Sequence, residues 1–193
     1  ITSSSDGTKL AAGVIYGNIW TSSDSGATWT EDTSVGTARS WQEITSSSDG
    51  TKLAAAVSGS GNIWTSTDSG ATWTEVTSVG STQNWWSITS SSNGTKLAAV
   101  VWGGNIWTST DSGTTWTEDT SVGSTQRWWI IKSSSDGTKL VAGVSGGNIW
   151  TSADSGTTWT EDTSVGSHQD WRGMASSSDG TKLAAGVFRG NIW

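Results

Sequence analysis

The chain has 193 residues, a formal net charge of −7 and only 14% charged residues, with 25 glycines, 16 tryptophans, no proline and no cysteine. Its six lysines stand singly without any basic run, which argues against a nucleic-acid footprint, and no apolar run reaches the length needed for membrane insertion. Without cysteine there are no disulfides and no thiolate metal sites, so the abundant Thr, Ser, Val, Ile and Trp must build a core of β-structure unaided.

The sequence repeats from its first residue. Units begin at Ile1, Ile44, Ile88, Ile131 and Met174, spaced by 43, 44, 43 and 43 residues, and divide the chain into 1–43, 44–87, 88–130, 131–173 and 174–193. It starts inside a unit and without an initiator methionine, as expected of a processed protein or of a piece of a longer chain. Self-similarity at this period points to stacked or radial repeats of one supersecondary unit. In the third unit four strands are expected: A over 86–91, B over 96–101, C over 105–109 and D over 115–121. Asp-Gly or Asn-Gly between A and B predicts a type I′ hairpin turn, with positive φ at both central residues. Strand B places Leu97, Ala99 and Val101 on one face and the smaller Ala98 and Val100 on the other, where Gly13 and Gly143 stand in other units. A face of small residues leaves room for bulk from the next sheet, and a sheet sandwiched between two others is apolar on both faces.

Between strands C and D the segment S-x-D-S-G-x-T-W occurs four times, at 22–29, 66–73, 109–116 and 152–159. Gly and Ser supply turn chemistry, Asp can bond back to nearby amides, and Trp is a large apolar anchor. With this motif in this place the chain resembles the Asp-box (BNR) propellers, which include sialidases, some plant cell-wall glycosidases, sortilin-type receptor domains and a photosystem II assembly factor. The resemblance spans essentially the whole chain. It implies an all-β fold: a β-propeller of four-stranded antiparallel blades forming a single domain over 1–193, with five blades of which the last lacks its outer strand. A ring closed by blade–blade packing is expected, the alternatives being part of a larger ring or completion by another chain. The resemblance also implies that Asp24, Asp68, Asp111 and Asp154, with Trp29, Trp73, Trp116 and Trp159, serve folding and not catalysis.

The sialidase resemblance can be tested further. Those enzymes are similar in an arginine trio, a Tyr–Glu nucleophile pair and an acid/base Asp; here there are four Arg, one Tyr and no Arg-Ile-Pro start. Glu31, Glu75, Glu118 and Glu161 recur identically and form no unique cluster. No enzyme activity, cofactor or metal site is therefore expected, and lone His168 is read as a surface residue. Asn93-Gly94-Thr95 matches an N-glycosylation acceptor, but it replaces Asp in a hairpin turn and is read as chance.

The copies are one another's controls. Antiparallel strands put the A–B and C–D turns at one end, and these are nearly constant. The other end varies: the D–A segments read TARSWQE (37–43), STQNWWS (81–87), STQRWWI (124–130) and SHQDWRG (167–173). A constant scaffold with one diversified face is the pattern of a recognition surface. Trp41, Trp85, Trp128 and Trp171 are fixed there and read as packing residues. The next position varies, and it makes Trp86, Trp129 and Arg172 ligand candidates, joined by Gln83, Asn84, Gln126, Arg127, Gln169, Asp170 and, from a B–C turn, Trp102. Aromatic surface beside planar polar groups suits carbohydrate, so a lectin-like, non-enzymatic binder is the first expectation. A structural or protein-interaction module is the second. The partner is thus a glycan or a protein surface, with oligomerisation or a longer chain as further options.

Overall fold

The computed structural model describes residues 1–165 and 168–193, which contain strands and turns and no helix. Ser167, the first residue of the fourth variable segment, lies outside the described residues. In the first unit β1 (Thr2–Ser3), β2 (Leu10–Gly13), β3 (Ile15–Gly17), β4 (Ile19–Ser22) and β5 (Thr30–Asp32) follow in order, and β1-β2-β4-β5 pair as one antiparallel sheet. The second unit supplies β6 (Arg39–Ser46), β7 (Leu53–Val57), β8 (Ile63–Ser66) and β9 (Thr74–Glu75). The third has β10 (Trp85–Ser90), β11 (Leu97–Gly104), β12 (Ile106–Ser109) and β13 (Thr117–Asp119). The fourth has β14 (Gln126–Ser133), β15 (Leu140–Gly147), β16 (Ile149–Ser152) and β17 (Thr160–Asp162), and the fifth β18 (Gln169–Ser176) and β19 (Leu183–Val187). The fifth unit's third strand is reduced to a bridge between Gly186 and Ile192.

The sheets are not separate, as four-stranded blades would be. Each B–C hairpin also pairs with the entrance of the next strand A: β3 with β6, β11 with β14 and β15 with β18, while Gly61 bridges Gln83. The third, fourth and fifth units thereby merge into one ten-stranded sheet. At the opposite end Ser5, Ser48, Ser92 and Ser135 each donate their amide to the carbonyl of the corresponding serine one unit on, at 2.7 Å.

Packing between units explains the strand pattern. Ala54 and Ala56 on the second face of β7 pack against Leu97, Ala99 and Val101 of β11 together with Trp85 and Ile88. The same arrangement recurs one unit on, where Ala98 and Val100 meet Leu140, Ala142, Val144, Trp128 and Ile131. Small residues of one sheet thus receive the bulk of the next, and in the second, third and fourth units strand B is buried on both faces.

Two expectations need correction. The A–B turns are not type I′, because only the glycine (Gly7, Gly50, Gly94, Gly137 and Gly180) has positive φ. The Asp side chain replaces the second strained residue: Asp6 Oδ1 accepts from Thr8 N at 3.0 Å and Ser4 Oγ at 2.6 Å, while Ser4 N donates to Lys9 O across the turn. The ring is also not closed. Five serine triplets line one open hollow of about 380 Å³, so the sheets share an axis. Yet among the described residues no strand pairing joins the fifth unit to the first.

Where the small position is glycine, the next tryptophan takes the space a side chain there would need. A Cβ at Gly13 would lie 2.6 Å from Trp41 Cβ, and one at Gly143 would lie 3.0 Å from Trp171 Cβ. Those two indoles donate to Gly17 O and Gly147 O, whereas Trp85 and Trp128, which face Ala56 and Val100, make no such bond within the protein. Gly13→Val is therefore expected to cost about 1–3 kcal/mol of unfolding free energy in denaturant titration. The same change at Gly186, which meets only Gly173 O at 3.9 Å, is expected to cost well under half as much.

Candidate functional site

The constant end is a closed hydrogen-bond system. In the first C–D turn Asp24 Oδ1 accepts from Thr28 N and Ser22 Oγ, both at 2.8 Å, and Oδ2 accepts from Thr28 Oγ1 at 2.6 Å. Asp68, Asp111 and Asp154 repeat this set. Ser25 and Gly26 both take positive φ, and Ser25 N donates to Thr8 O of the A–B turn, tying the two turns together. Trp116 is buried, Trp73 and Trp159 are half-buried and Trp29 is exposed. The repeated Glu31, Glu75, Glu118 and Glu161 accept from Asn18, Asn62, Asn105 and Asn148.

The variable end is organised by a bulge. In β6, β10, β14 and β18 the register against the partner strand slips between Trp41 and Glu43, Trp85 and Ser87, Trp128 and Ile130, and Trp171 and Gly173. The extra residue is Gln42, Trp86, Trp129 or Arg172, which is the variable position. A bulge re-aims one side chain without moving the strand. Here it separates adjacent tryptophans: Trp41, Trp85, Trp128 and Trp171 are at most 2% exposed, while Trp86 and Trp129 are half-buried at the rim.

The bulged residues meet. Trp86 and Trp129 have ring centroids 5.0 Å apart, and Trp102 stands 5.1 Å from the first and 5.6 Å from the second. Arg172 lies 3.5 Å over the Trp129 ring, and its guanidinium donates to Asp170 at 2.7 Å. That bond, aided by Ser145 Oγ, holds the Asp170 carboxyl below its ordinary range. Phe188 approaches Arg172 at 5.4 Å and Arg189 at 5.1 Å. The other candidates are engaged elsewhere. Gln83 and Gln126 turn back to Ser81 and Ser124, and Asn84 Oδ1 accepts from Gly59 N. Arg127 is exposed beside Trp102, to which its backbone pairs, and Gln169 pairs with Gly147. His168 is exposed, and among the described residues no group of three metal-ligating side chains occurs.

One feature was missed from sequence. Glu43 and Lys132 form a 2.8 Å ion pair across two units. Glu43 Oε2 also accepts from Ser87 Oγ and Ile88 N, and Ser87 Oγ accepts from Ile131 N. One residue beyond the bulge, this polar clamp ties together the strands that carry Trp86 and Trp129. The available signal was that each is the single charged residue at its repeat position: Ser87, Ile130 and Gly173 match Glu43, and Thr45, Thr89 and Ala175 match Lys132.

An ancestral GH74 enzyme superposes with a TM-score of 0.72 at 16% identity, covering 98% of this chain and 29% of its own. A GH74 xyloglucanase from Xanthomonas campestris gives 0.73 at 17% identity, covering 97% and 34%. YCF48 from Cyanidioschyzon merolae gives 0.64 at 15% identity, covering 92% and 63%. The fold is that of a β-propeller. The chain spans about a third of the GH74 proteins it matches. No protein-family model matches it, and no curated protein sequence matches it either.

The constant end also predicts acid behaviour. Hydrogen bonds from Ser47 and Thr51 lower Asp49 from 3.8 to about 2, and Ser4 and Thr8 do the same for Asp6. Carboxylates with depressed folded values contribute stability that is present above the unfolded value and lost as pH falls through the folded one. Melting temperature is therefore expected to be flat from neutrality to about pH 4 and to fall between about pH 4 and 2. Asn93 already makes the same bonds in the third unit. Asp6→Asn with Asp49→Asn should thus keep the fold at neutral pH and flatten the acid slope; an unchanged slope would refute the assignment.

Proposed function

We propose that residues 1–193 act as one non-catalytic binding propeller, whose S-x-D-S-G-x-T-W turns are Asp boxes serving the fold and whose variable rim holds a polypeptide segment. The observation that carries this reading is the joined set of Trp86, Trp102, Trp129 and Arg172, drawn from three units by bulges and a B–C turn. Trp and Arg dominate the energetics of protein interfaces, where they fill pockets and exclude water. Arg172 covers one face of Trp129, and the rings meet at 40° to 77°, forming a ridge and not a flat platform. Arg127, exposed beside the ridge, favours a segment with both apolar and acidic side chains. A YCF48 structure bound to a D1 peptide, with a TM-score of 0.51 and 12% identity, is a neighbour that accords with a peptide ligand.

The non-catalytic reading is supported by the engagement of all 17 carboxylates, each of which accepts at least one hydrogen bond within the fold. A carbohydrate ligand is the second reading. It is favoured by the half-buried Trp86 and Trp102 at the rim, whose rings no arginine covers among the described residues, and by the xyloglucanase among the neighbours.

Panning the folded chain against a displayed library of short peptides, in parallel with an oligosaccharide array, separates the two. The expected result is an enriched acidic–aromatic peptide whose affinity falls by about tenfold or more in Trp86→Ala/Trp129→Ala. Melting temperature should move little, since both rings are at the surface. Retention of oligosaccharides with no peptide enriched would overturn the first reading in favour of the second.

A further inference from the structure

The tips of the B–C hairpins carry backbone strain in two units and not in the others. In the third and fourth units the tip is a one-residue bulge in the pairing with the next strand A, between Trp102 and Gly104 and between Ser145 and Gly147. The bulged residues, Gly103 and Gly146, take φ of +73° and +71°, a conformation that glycine adopts without steric cost. The first unit has Tyr16 at the same bulge, between Ile15 and Gly17, with φ +59°, and the fifth has Arg189 with φ +55°. Val14, Val101, Val144 and Val187 all donate their amides to the carbonyls of Asn18, Asn105, Asn148 and Asn191, so the four hairpins share one form. Among the described residues every other non-glycine with positive φ is a serine. A left-handed tyrosine or arginine is held against backbone sterics, and burial does not offset that strain. Tyr16 is 84% exposed, and Arg189 is exposed too. The exposure belongs to the position, since Gly59, Gly103 and Gly146 are also exposed.

The tips adjoin the tryptophan ridge. Trp102, the residue before its tip, stands against the bulged Trp86 of its own unit and Trp129 of the next. In the fifth unit the same place is Phe188, which lies between the guanidinium groups of Arg172 and Arg189. In the first unit it is Ile15, whose partner Ser40 is two residues before the bulged Gln42. We propose that Tyr16 and Arg189 are specificity-determining contacts of the variable rim, Tyr16 for an apolar side chain and Arg189 for an acidic one of the same polypeptide segment. This assignment rests on the reading of the rim as a peptide site and adds the residues that select the peptide. Strain kept at an exposed side chain is understandable where that side chain meets something outside the fold. Arg127 and Arg189 have no ion pair among the described residues, so a carboxylate arriving at that part of the rim meets guanidinium groups not already neutralised. Tyrosine offers a large contact surface with few rotatable bonds to immobilise.

The test takes the peptides that the native chain enriches from a displayed random library and measures their affinity for Tyr16→Gly, Arg189→Gly and Trp86→Ala/Trp129→Ala. Both glycine variants should fold, because Gly103 and Gly146 already occupy this position, and their melting temperatures should equal or exceed that of the native chain. Each should bind the enriched peptides about tenfold more weakly or worse. The loss in Arg189→Gly should shrink as salt is raised, because it is electrostatic. Unchanged binding in either glycine variant, with a loss in the tryptophan variant, would overturn the assignment of that residue and leave the ridge standing. A loss in the glycine variants with none in the tryptophan variant would support the tips and overturn the ridge. A lowered melting temperature in a glycine variant would show that its side chain serves the fold and would overturn its assignment. A library that yields no binder to the native chain would overturn both.

Discussion

Each junction between units depends on one contact: a tryptophan at the head of strand A pressed against a small residue on strand B of the unit before. In Trp41 over Gly13 and Trp171 over Gly143 the small residue is a glycine whose missing Cβ makes the room. Burying an indole so completely removes a large apolar surface from water, and a small or compact opposing residue leaves room for it. That packing of large against small recurs from unit to unit around the common axis at which the serine triplets gather.

The same contact governs what the two ends can do. With Trp85 and Trp128 committed to the core, the bulge that follows must turn the next residue outward, so Trp86 and Trp129 reach the rim on a rigid stem. The clamp of Lys132, Glu43 and Ser87 holds those stems together from one residue further along. At the other end every aspartate is spent on local amides and hydroxyls, which explains why its sequence hardly changes. The proposed binding falls to the other end, whose rim side chains vary from unit to unit.

Much of this was legible in the residues. The period, the S-x-D-S-G-x-T-W turns and the large–small alternation of strand B follow from composition and spacing. The bulge was not, because no Gly or Pro marks it; it appears only as a residue of register lost between Trp85 and Ser87. The A–B turn was misread since Asp-Gly suits type I′ by propensity, while Asp6 and its counterparts instead use the carboxylate to hold Thr8-type amides. Ring closure could not be read, since it depends on an angle summed over five junctions and not on any local pattern. Glu43 and Lys132 escaped notice because 89 residues of sequence separate them and only the fold shows that they touch. The ridge itself was half-visible: the sequence marked Trp86, Trp129 and Arg172 at one variable position and Trp102 in a B–C turn of the same end, but the stacking of Arg172 on Trp129 appears only in the fold.

The most direct test of the account is hydroxyl-radical footprinting of the folded chain, read tryptophan by tryptophan. Trp86, Trp102 and Trp129 should be oxidised readily while Trp85 and Trp128, their immediate neighbours in sequence, stay protected along with Trp41 and Trp171. Equal oxidation within the Trp85–Trp86 and Trp128–Trp129 pairs would contradict the division of core from rim on which everything else is built.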